Sequence, residues 1–349
     1  VHPMHMLEEI LSQPAGVKRT IEGNRERAQQ VAQAIKDRGG VDFVLIVGRG
    51  TSDNAATYAK YIFGLVNGLP VALAAPSLMN LYESPLRLDR ALVISVSQSG
   101  ETDEVISATD FAKAKGAFCL GITNEENSTL AGLADAALFC LTGREQSIPA
   151  TKTYTGELAA LALLSFTMAG DDRYLKELEA IPGLLEKTID KLDPIIAGRA
   201  ERYRFMRRCL VLGRGLNFAT ALEAALKLKE TCAVGAEALS AADFLHGPIA
   251  ALKPGFPVIV FAPDDPTMPA LQAMLERIKQ FHCETLIISN DRDLLDEATL
   301  GLEVPSAPSP LCWPILAIVP IQLLAYRLAV VKGMDPDHPV GLSKVTHTG

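Results

Sequence analysis

The chain, 349 residues long, repeats itself. The stretch "FVLIVGRGTSDNAATYAKY" (43–61) resembles "CLVLGRGLNFATALEAALK" (209–227): an apolar run, Gly-Arg-Gly, then a helical pattern, with Gly48 and Gly213 165 positions apart. "ALVISVSQSG" (91–100) faces "FPVIVFAPDD" (256–265) at the same offset, Ser97 against Ala262, and "GAFCLGITN" faces "HCETLIISN" with Asn124 and Asn290 166 apart. Self-similarity kept in register over three segments is the mark of a duplicated architecture. Each half reads strand, helix, strand, helix, strand, which predicts a parallel sheet flanked by helices. The predicted strands are continuous Val/Ile/Leu runs, as strands covered on both faces are. The fold class is therefore α/β with two tandem domains, a number that the length also favours. The predicted boundaries are an N-terminal helical segment (1–38), a first domain (39–170), a helical linker (171–198), a second domain (199–335) and a C-terminal tail (336–349).

Charge excludes one class of partner. Lys plus Arg number 33 against 41 acidic residues, for a net charge of -8, and no basic block stands out, so no nucleic acid is expected. The six cysteines are scattered, without a C-x-x-C pair or matching histidine spacing, and predict reduced, buried thiols in a cytoplasmic protein with no metal site. The opening "VHPMHMLEEI" lacks a charged region followed by an apolar one, so no signal peptide is expected. Residues 311–331 are long enough to cross a bilayer. They carry Pro314, Pro320, Gln322 and Arg327, however, and are read as a buried core helix with no membrane partner.

The two copies differ most after the second strand of each half. Residues 97–102 are Ser-Gln-Ser-Gly-Glu-Thr, whereas the counterpart from Ala262 is Ala-Pro-Asp-Asp-Pro-Thr. A loop leading from a strand into a helix presents backbone N–H groups and the positive end of the helix dipole. Ser97, Ser99 and Thr102 add hydroxyl donors, Gln98 adds an amide, and Gly100 lets backbone approach closely, so a phosphate group can be held there without Lys or Arg. Simple helix capping accounts for one or two such hydroxyls, not for the four of "VISVSQSGET" (Ser95, Ser97, Ser99 and Thr102) with Gln98. Thr51 and Ser52, in the neighbouring "GRGTS" turn with Gly50, read as further donors to phosphate or sugar. The turn fails the dinucleotide pattern because the third glycine is Asp53.

Together "GRGTS", "SQSGET", "ATKTYT" (150–155), "ALKLKE" (225–230), "FLHGP" (244–248) and "GLSK" (341–344) resemble, in order and over nearly the whole chain, the isomerase half of glutamine:fructose-6-phosphate amidotransferases. That half is two tandem SIS (sugar isomerase) domains of flavodoxin-like, three-layer αβα form. The resemblance implies that Thr51, Ser52, Ser97, Gln98, Ser99 and Thr102 bind a sugar phosphate, with Gly50, Ala150 and Lys152 as possible further contacts. It implies that Glu230 shuttles a proton with Lys227 close to the sugar. His246 would open the ring from a neighbouring subunit of a homodimer, and Lys344 would form an imine with a ketose. The chain departs from the family at Arg49, where a Cys is usual, at Ala150, where a Ser is usual, and at Phe244 and Leu245, which replace a more polar pair.

The chemistry suits those residue types. Moving a carbonyl between C1 and C2 needs a carboxylate that a low-dielectric site can bring towards neutrality, and a group such as imidazole to pass a proton during ring opening. Glu223, Lys227 and Glu230 share one helix face by spacing, which alone reads as an ordinary solvated ion-pair row and with the family match as catalytic. Lys152 either contacts substrate or starts a helix. Because the first cysteine is Cys119, a glutaminase domain with an N-terminal cysteine nucleophile is not read here. The expected activity is a phosphosugar isomerase and deaminase, converting glucosamine 6-phosphate to fructose 6-phosphate and ammonia without a cofactor. The alternatives are a deglycase, an isomerase of another aminohexose phosphate, and a non-catalytic sugar-phosphate sensor.

Overall fold

The apolar runs become parallel strands in both halves. The structure, a computed structural model, describes residues 5–82 and 84–344. It divides into two compact units. The first comprises Ser12–Glu145, Lys152–Glu179 and the residues from Ser343 onward; the second comprises the residues up to Leu11, Gln146–Thr151 and Ala180–Leu342.

In the first unit β1 (Phe43–Val47), β2 (Val71–Leu73), β3 (Ala91–Val96), β4 (Phe118–Thr123) and β5 (Ala136–Phe139) form one sheet in the order β2-β1-β3-β4-β5. All pairs are parallel, with Leu45 level with Ala72 and Val93. In the second unit β6 (Arg208–Gly213), β7 (Gly235–Ser240), β8 (Pro257–Ala262), β9 (Glu284–Ser289) and β10 (Leu300–Glu303) repeat that topology in the order β10-β9-β8-β6-β7. In each sheet the second and third strands are added on opposite sides of the first, so the strand order reverses between β1 and β3 or β6 and β8, the switch point at whose carboxyl ends ligands bind in open α/β sheets.

Sequence patterning finds three strands per half and misses two. β2, β5 and β10 are three or four residues long, and β7 is largely half-buried or exposed, so none shows the continuous apolar run of the central strands. The central strands alternate their cargo between two covered faces. Leu45, Val47, Val93 and Cys119 pack on Val105, Ala108 and Ala112 of the helix Asp103–Ala114. Val44, Ile46, Leu92 and Ile94, on the other face, are fully buried as well. Each such side chain contributes about 1.5–3 kcal/mol.

The helix Lys152–Ala169 is buried at every position from 152 to 166, which explains its lack of a polar face. The helix Gln13–Asp37 packs against it, and the helix Ile181–Arg199 stands in the same place of the second unit, against Val319–Val331. Asn24 on that helix bonds the backbone of β5 twice: its amide donates to the Phe139 carbonyl at 2.6 Å and its carbonyl accepts the Phe139 N–H at 2.8 Å.

In the second unit the segment long enough to cross a membrane is folded inward. Over Pro310–Val331, 83% of the apolar window is buried, in the helices Trp313–Ala317 and Val319–Val331. Its polar residues have partners: Gln322 donates to the Thr151 carbonyl at 3.2 Å, and Arg327 grips Asp193 through Nη2 at 2.6 Å and 2.8 Å.

All six cysteines are free thiols, and only Cys283 is not fully buried. Burial pushes the Cys119, Cys209 and Cys232 thiols up to about 12, and Cys140 well above the ordinary thiol range. Because the thiolate is the reactive species, a disulfide reagent at pH 8 is expected to titrate no more than Cys283 in the native protein, and slowly. All six thiols should appear once guanidinium unfolds it. Fast reaction of several thiols in the native state would show the cores to be less closed than described.

Candidate active site

β3 delivers the hydroxyl loop. Ser95, still within the strand, is fully buried and its hydroxyl pairs with Thr109 at 2.7 Å, so it ties strand to helix and takes no part in the loop surface. Ser97 extends the ladder by donating its N–H to the Ile122 carbonyl at 3.0 Å, and its hydroxyl accepts the Gly100 N–H at 3.1 Å. The Thr102 hydroxyl lies 3.0 Å from that of Ser97. Thr102 occupies the cap position of the helix Asp103–Ala114, yet its side chain caps nothing. Capping therefore does not explain this hydroxyl.

The backbone of the loop is fixed from several sides. The Gln98 carbonyl accepts from Asn124 N–H at 3.1 Å and Thr123 Oγ1 at 3.2 Å, and the Gly100 carbonyl accepts from Leu130 N–H at 3.0 Å. The Glu101 carboxylate takes the N–H and hydroxyl of Thr129 at 2.8 Å and 2.7 Å. Gly100 has φ +65°, and a Cβ there would lie 2.2 Å from Ser128 Oγ. No other residue fits that position. Gln98, Ser99 and Thr102 stay partly exposed at the first turn of a helix whose leading N–H groups have no partner within it.

β1 delivers the adjacent turn. A Cβ on Gly48 would lie 2.8 Å from the Ser52 carbonyl oxygen, and Gly50 has φ +57°. The second unit reproduces both features, with Gly213 against the Asn217 carbonyl and Gly215 at φ +59°, so the duplication persists in backbone geometry. Thr51 opens the helix Thr51–Asn67. Ser52 is buried and its hydroxyl donates to Glu157 Oε1 at 2.8 Å. Arg49 forms an ion pair with Glu104, joining the two loops. Burial raises the carboxyl of Asp53, opposed by the nearby Arg49.

Two further lysines lie in the first unit. Lys152 is buried and donates to the Arg144 carbonyl at 2.7 Å. Lys344 Nζ lies 3.5 Å from Glu145 Oε2. Patterning identifies neither Glu145 nor Glu157; the second had one visible signal, a lone carboxylate in the otherwise apolar run "GELAALALL".

In the second unit the helix Leu216–Cys232 carries Glu223, Lys227 and Glu230 on one face. Lys227 Nζ lies 3.4 Å from Glu223 Oε1 and 2.6 Å from Glu230 Oε2. The side chains of Glu223 and Lys227 are at 0% exposure and that of Glu230 at 23%, so this is no solvated ion-pair row. His246 follows the short helix Ala241–Leu245 and is exposed. Ala150 belongs to the segment Gln146–Thr151, whose Ser147 N–H donates to the buried Glu9 carboxylate at 3.3 Å and whose Ile148 N–H donates to the Asp337 carbonyl at 2.9 Å. Among the described residues no cluster of His, Cys, Asp or Glu could hold a metal ion.

Known proteins carry the same pattern. Residues 42–166 and 204–332 each match the SIS domain family. The chain is 36% identical, over 97% of its length, to the glutamine–fructose-6-phosphate aminotransferase (isomerizing) of Pyrococcus horikoshii, of which it spans 57%. The curated relatives it matches are thus nearly twice as long. Among solved structures it superposes on the C-terminal domain of glucosamine-fructose-6-phosphate aminotransferase from Francisella tularensis with a TM-score of 0.87 at 28% identity, covering 96% of this chain and 98% of that one. It superposes on the glucosamine-6-phosphate deaminase of Thermotoga maritima with a TM-score of 0.79 at 26% identity, covering 99% and 100%. Two family matches in one chain, one on each five-stranded sheet, place the protein in the SIS domain family as a tandem pair.

Proposed function

We propose that the chain is a phosphosugar isomerase and, more narrowly, that it converts glucosamine 6-phosphate and water to fructose 6-phosphate and ammonia. The observation that carries the reading is the removal of Lys227 and Glu223 from water beside a partly exposed Glu230. A buried lysine clamped by two carboxylates is costly to fold for stability alone, and it sets one carboxylate at the surface as a proton carrier. A likeness along the whole chain to a protein described as a glucosamine-6-phosphate deaminase supports the narrower form.

In this reading the loop of Ser97, Gln98, Ser99 and Thr102, with Thr51, holds the phosphate group. His246, contributed by the other subunit of a homodimer, passes the proton that opens the ring. Glu230 takes the proton from C2 of the open-chain aldehyde and returns it to C1, leaving an imine at C2. Lys344 displaces ammonia from that carbon, and water then frees the ketose. Lys227, held by Glu223, offsets the charge that develops next to Glu230.

Purified protein supplied with glucosamine 6-phosphate should release ammonia and fructose 6-phosphate in equal amounts; neither appearing would end the narrower reading. Replacing Glu230→Gln should lower turnover by about 10²–10⁴-fold, the usual worth of a positioned acid–base group, while ligand affinity measured by calorimetry is kept. A sugar-phosphate sensor would instead show no turnover to lose.

Gly100→Ala forces a side chain into left-handed backbone and against Ser128, at a cost of about 1–3 kcal/mol in stability. It should weaken sugar-phosphate affinity about tenfold or more, each tenfold being about 1.4 kcal/mol. Unchanged affinity would remove the phosphate from this loop. Mixing inactive Glu230→Gln and His246→Ala chains should restore partial activity if the histidine is shared between subunits, and none if each chain uses its own.

A further inference from the structure

Residues 199–208, "RAERYRFMRR", hold five arginines against one acid, Glu201, a local excess that the chain's net charge of -8 conceals. Two of the five have carboxylate partners in the fold. Arg204 Nη1 lies 2.9 Å from Glu201 Oε1, and Arg202 grips Glu284 through Nε at 2.6 Å and Nη2 at 2.9 Å. Arg207 and Arg208 are exposed and have no carboxylate partner among the described residues. Lys332, whose Nζ donates to the Met206 carbonyl at 2.7 Å, adds another cation without such a partner among them.

These arginines border a cavity of about 490 Å³, lined by Arg202, Phe205, Met206, Arg207, Arg208 and the start of β8. Arg208, Pro257 and Glu284 are the first residues of β6, β8 and β9, so the cavity lies at the amino ends of the second sheet. The length of β6, about 16 Å at 3.3 Å per residue, separates it from Gly213 and the carboxyl-end crevice. Its volume is that of a small-molecule pocket.

Like charges gathered without acids repel one another, and an anion relieves that repulsion. Guanidinium groups suit a phosphate in particular, since their planar fork can donate two parallel N–H bonds to its oxygens. Glu284 does not oppose an anion here, because its carboxylate already accepts from Arg202 and from the Tyr203 hydroxyl at 3.2 Å. Phe205 is 88% exposed beside these charges, a flat apolar face that the packing of its own chain leaves unused.

We propose that this cavity binds a small phosphate monoester carried on a planar ring, with the phosphate held by Arg207 and Arg208 and the ring laid on Phe205. The binding is independent of the reaction proposed above and uses none of its residues.

AMP and phenyl phosphate are the probes, titrated by calorimetry into the full chain with fructose 6-phosphate in excess. Both should still bind, at one per chain, and more weakly as salt is raised. The double change Arg207→Gln, Arg208→Gln should lower affinity by about tenfold for each guanidinium removed, while turnover of glucosamine 6-phosphate stays as it was. Phe205→Ala should cost about fivefold or more, and unchanged affinity there would overturn the contact with the ring. Binding of neither probe, loss of binding to excess fructose 6-phosphate, or equal affinity in the double variant would each overturn the proposal. If the double variant does not fold, phenylglyoxal labelling of the unaltered protein, read by peptide mass, replaces it: AMP should slow labelling of Arg207 and Arg208 and fructose 6-phosphate should not, and labelling indifferent to AMP would overturn the proposal equally.

Discussion

A parallel strand covered on both faces can meet polar chemistry only where it ends. In each half of this protein helices close both sides of the sheet, so side chains along β1, β3 and β4 or along β6, β8 and β9 are committed to packing. At the carboxyl ends the backbone turns directly into helix N-termini. The position of the hydroxyl loop, the tightness of the Gly-Arg-Gly turns and the reach of the helices bearing Glu157 and Glu230 all follow from that one constraint. It also explains how one architecture carries two different sets of loop residues, since the ends vary while the covered strands stay the same.

Within the loop, rigidity comes from backbone contacts more than from the hydroxyls. The carbonyls of Gln98 and Gly100 and the carboxylate of Glu101 are each held by the neighbouring segment 123–130, and Gly100 leaves no room for drift. Hydroxyl pairs such as Ser97 with Thr102 cost little to reorient, whereas a backbone already fixed need not be ordered again when an anion arrives. Under the proposed function, preorganisation of this kind is what lets neutral donors hold a doubly charged group. Arg49, in the adjacent turn, is paired with Glu104.

Much of this was legible in the sequence, for identifiable reasons. Gly48 and Gly50 announce the tight turn because only glycine fits beside Ser52 and at positive φ, and their echoes at Gly213 and Gly215 exposed the duplication. The face shared by Glu223, Lys227 and Glu230 follows from helical spacing, but its burial does not: an ion-pair row looks the same in sequence whether water or protein surrounds it. The outer strands escaped notice because a three-residue strand such as β2 has too few positions to show a period. The hydroxyls misled in one respect. Ser95 counts as a fourth loop hydroxyl in "VISVSQSGET", whereas in the fold it belongs to the packing between strand and helix. Glu145 could not be found at all, since partners such as Thr153 and Lys344 lie 8 and 199 positions away and no local pattern links them.

Asn24 closes the outer rim of the first sheet in an unusual manner. By giving and taking a hydrogen bond at Phe139, its amide imitates one rung of a strand that is not there. An exposed rim of that sort is a template on which foreign chains can add themselves. A single side chain, reaching from the helix Gln13–Asp37, thereby occupies the rung at Phe139 that an added strand would use.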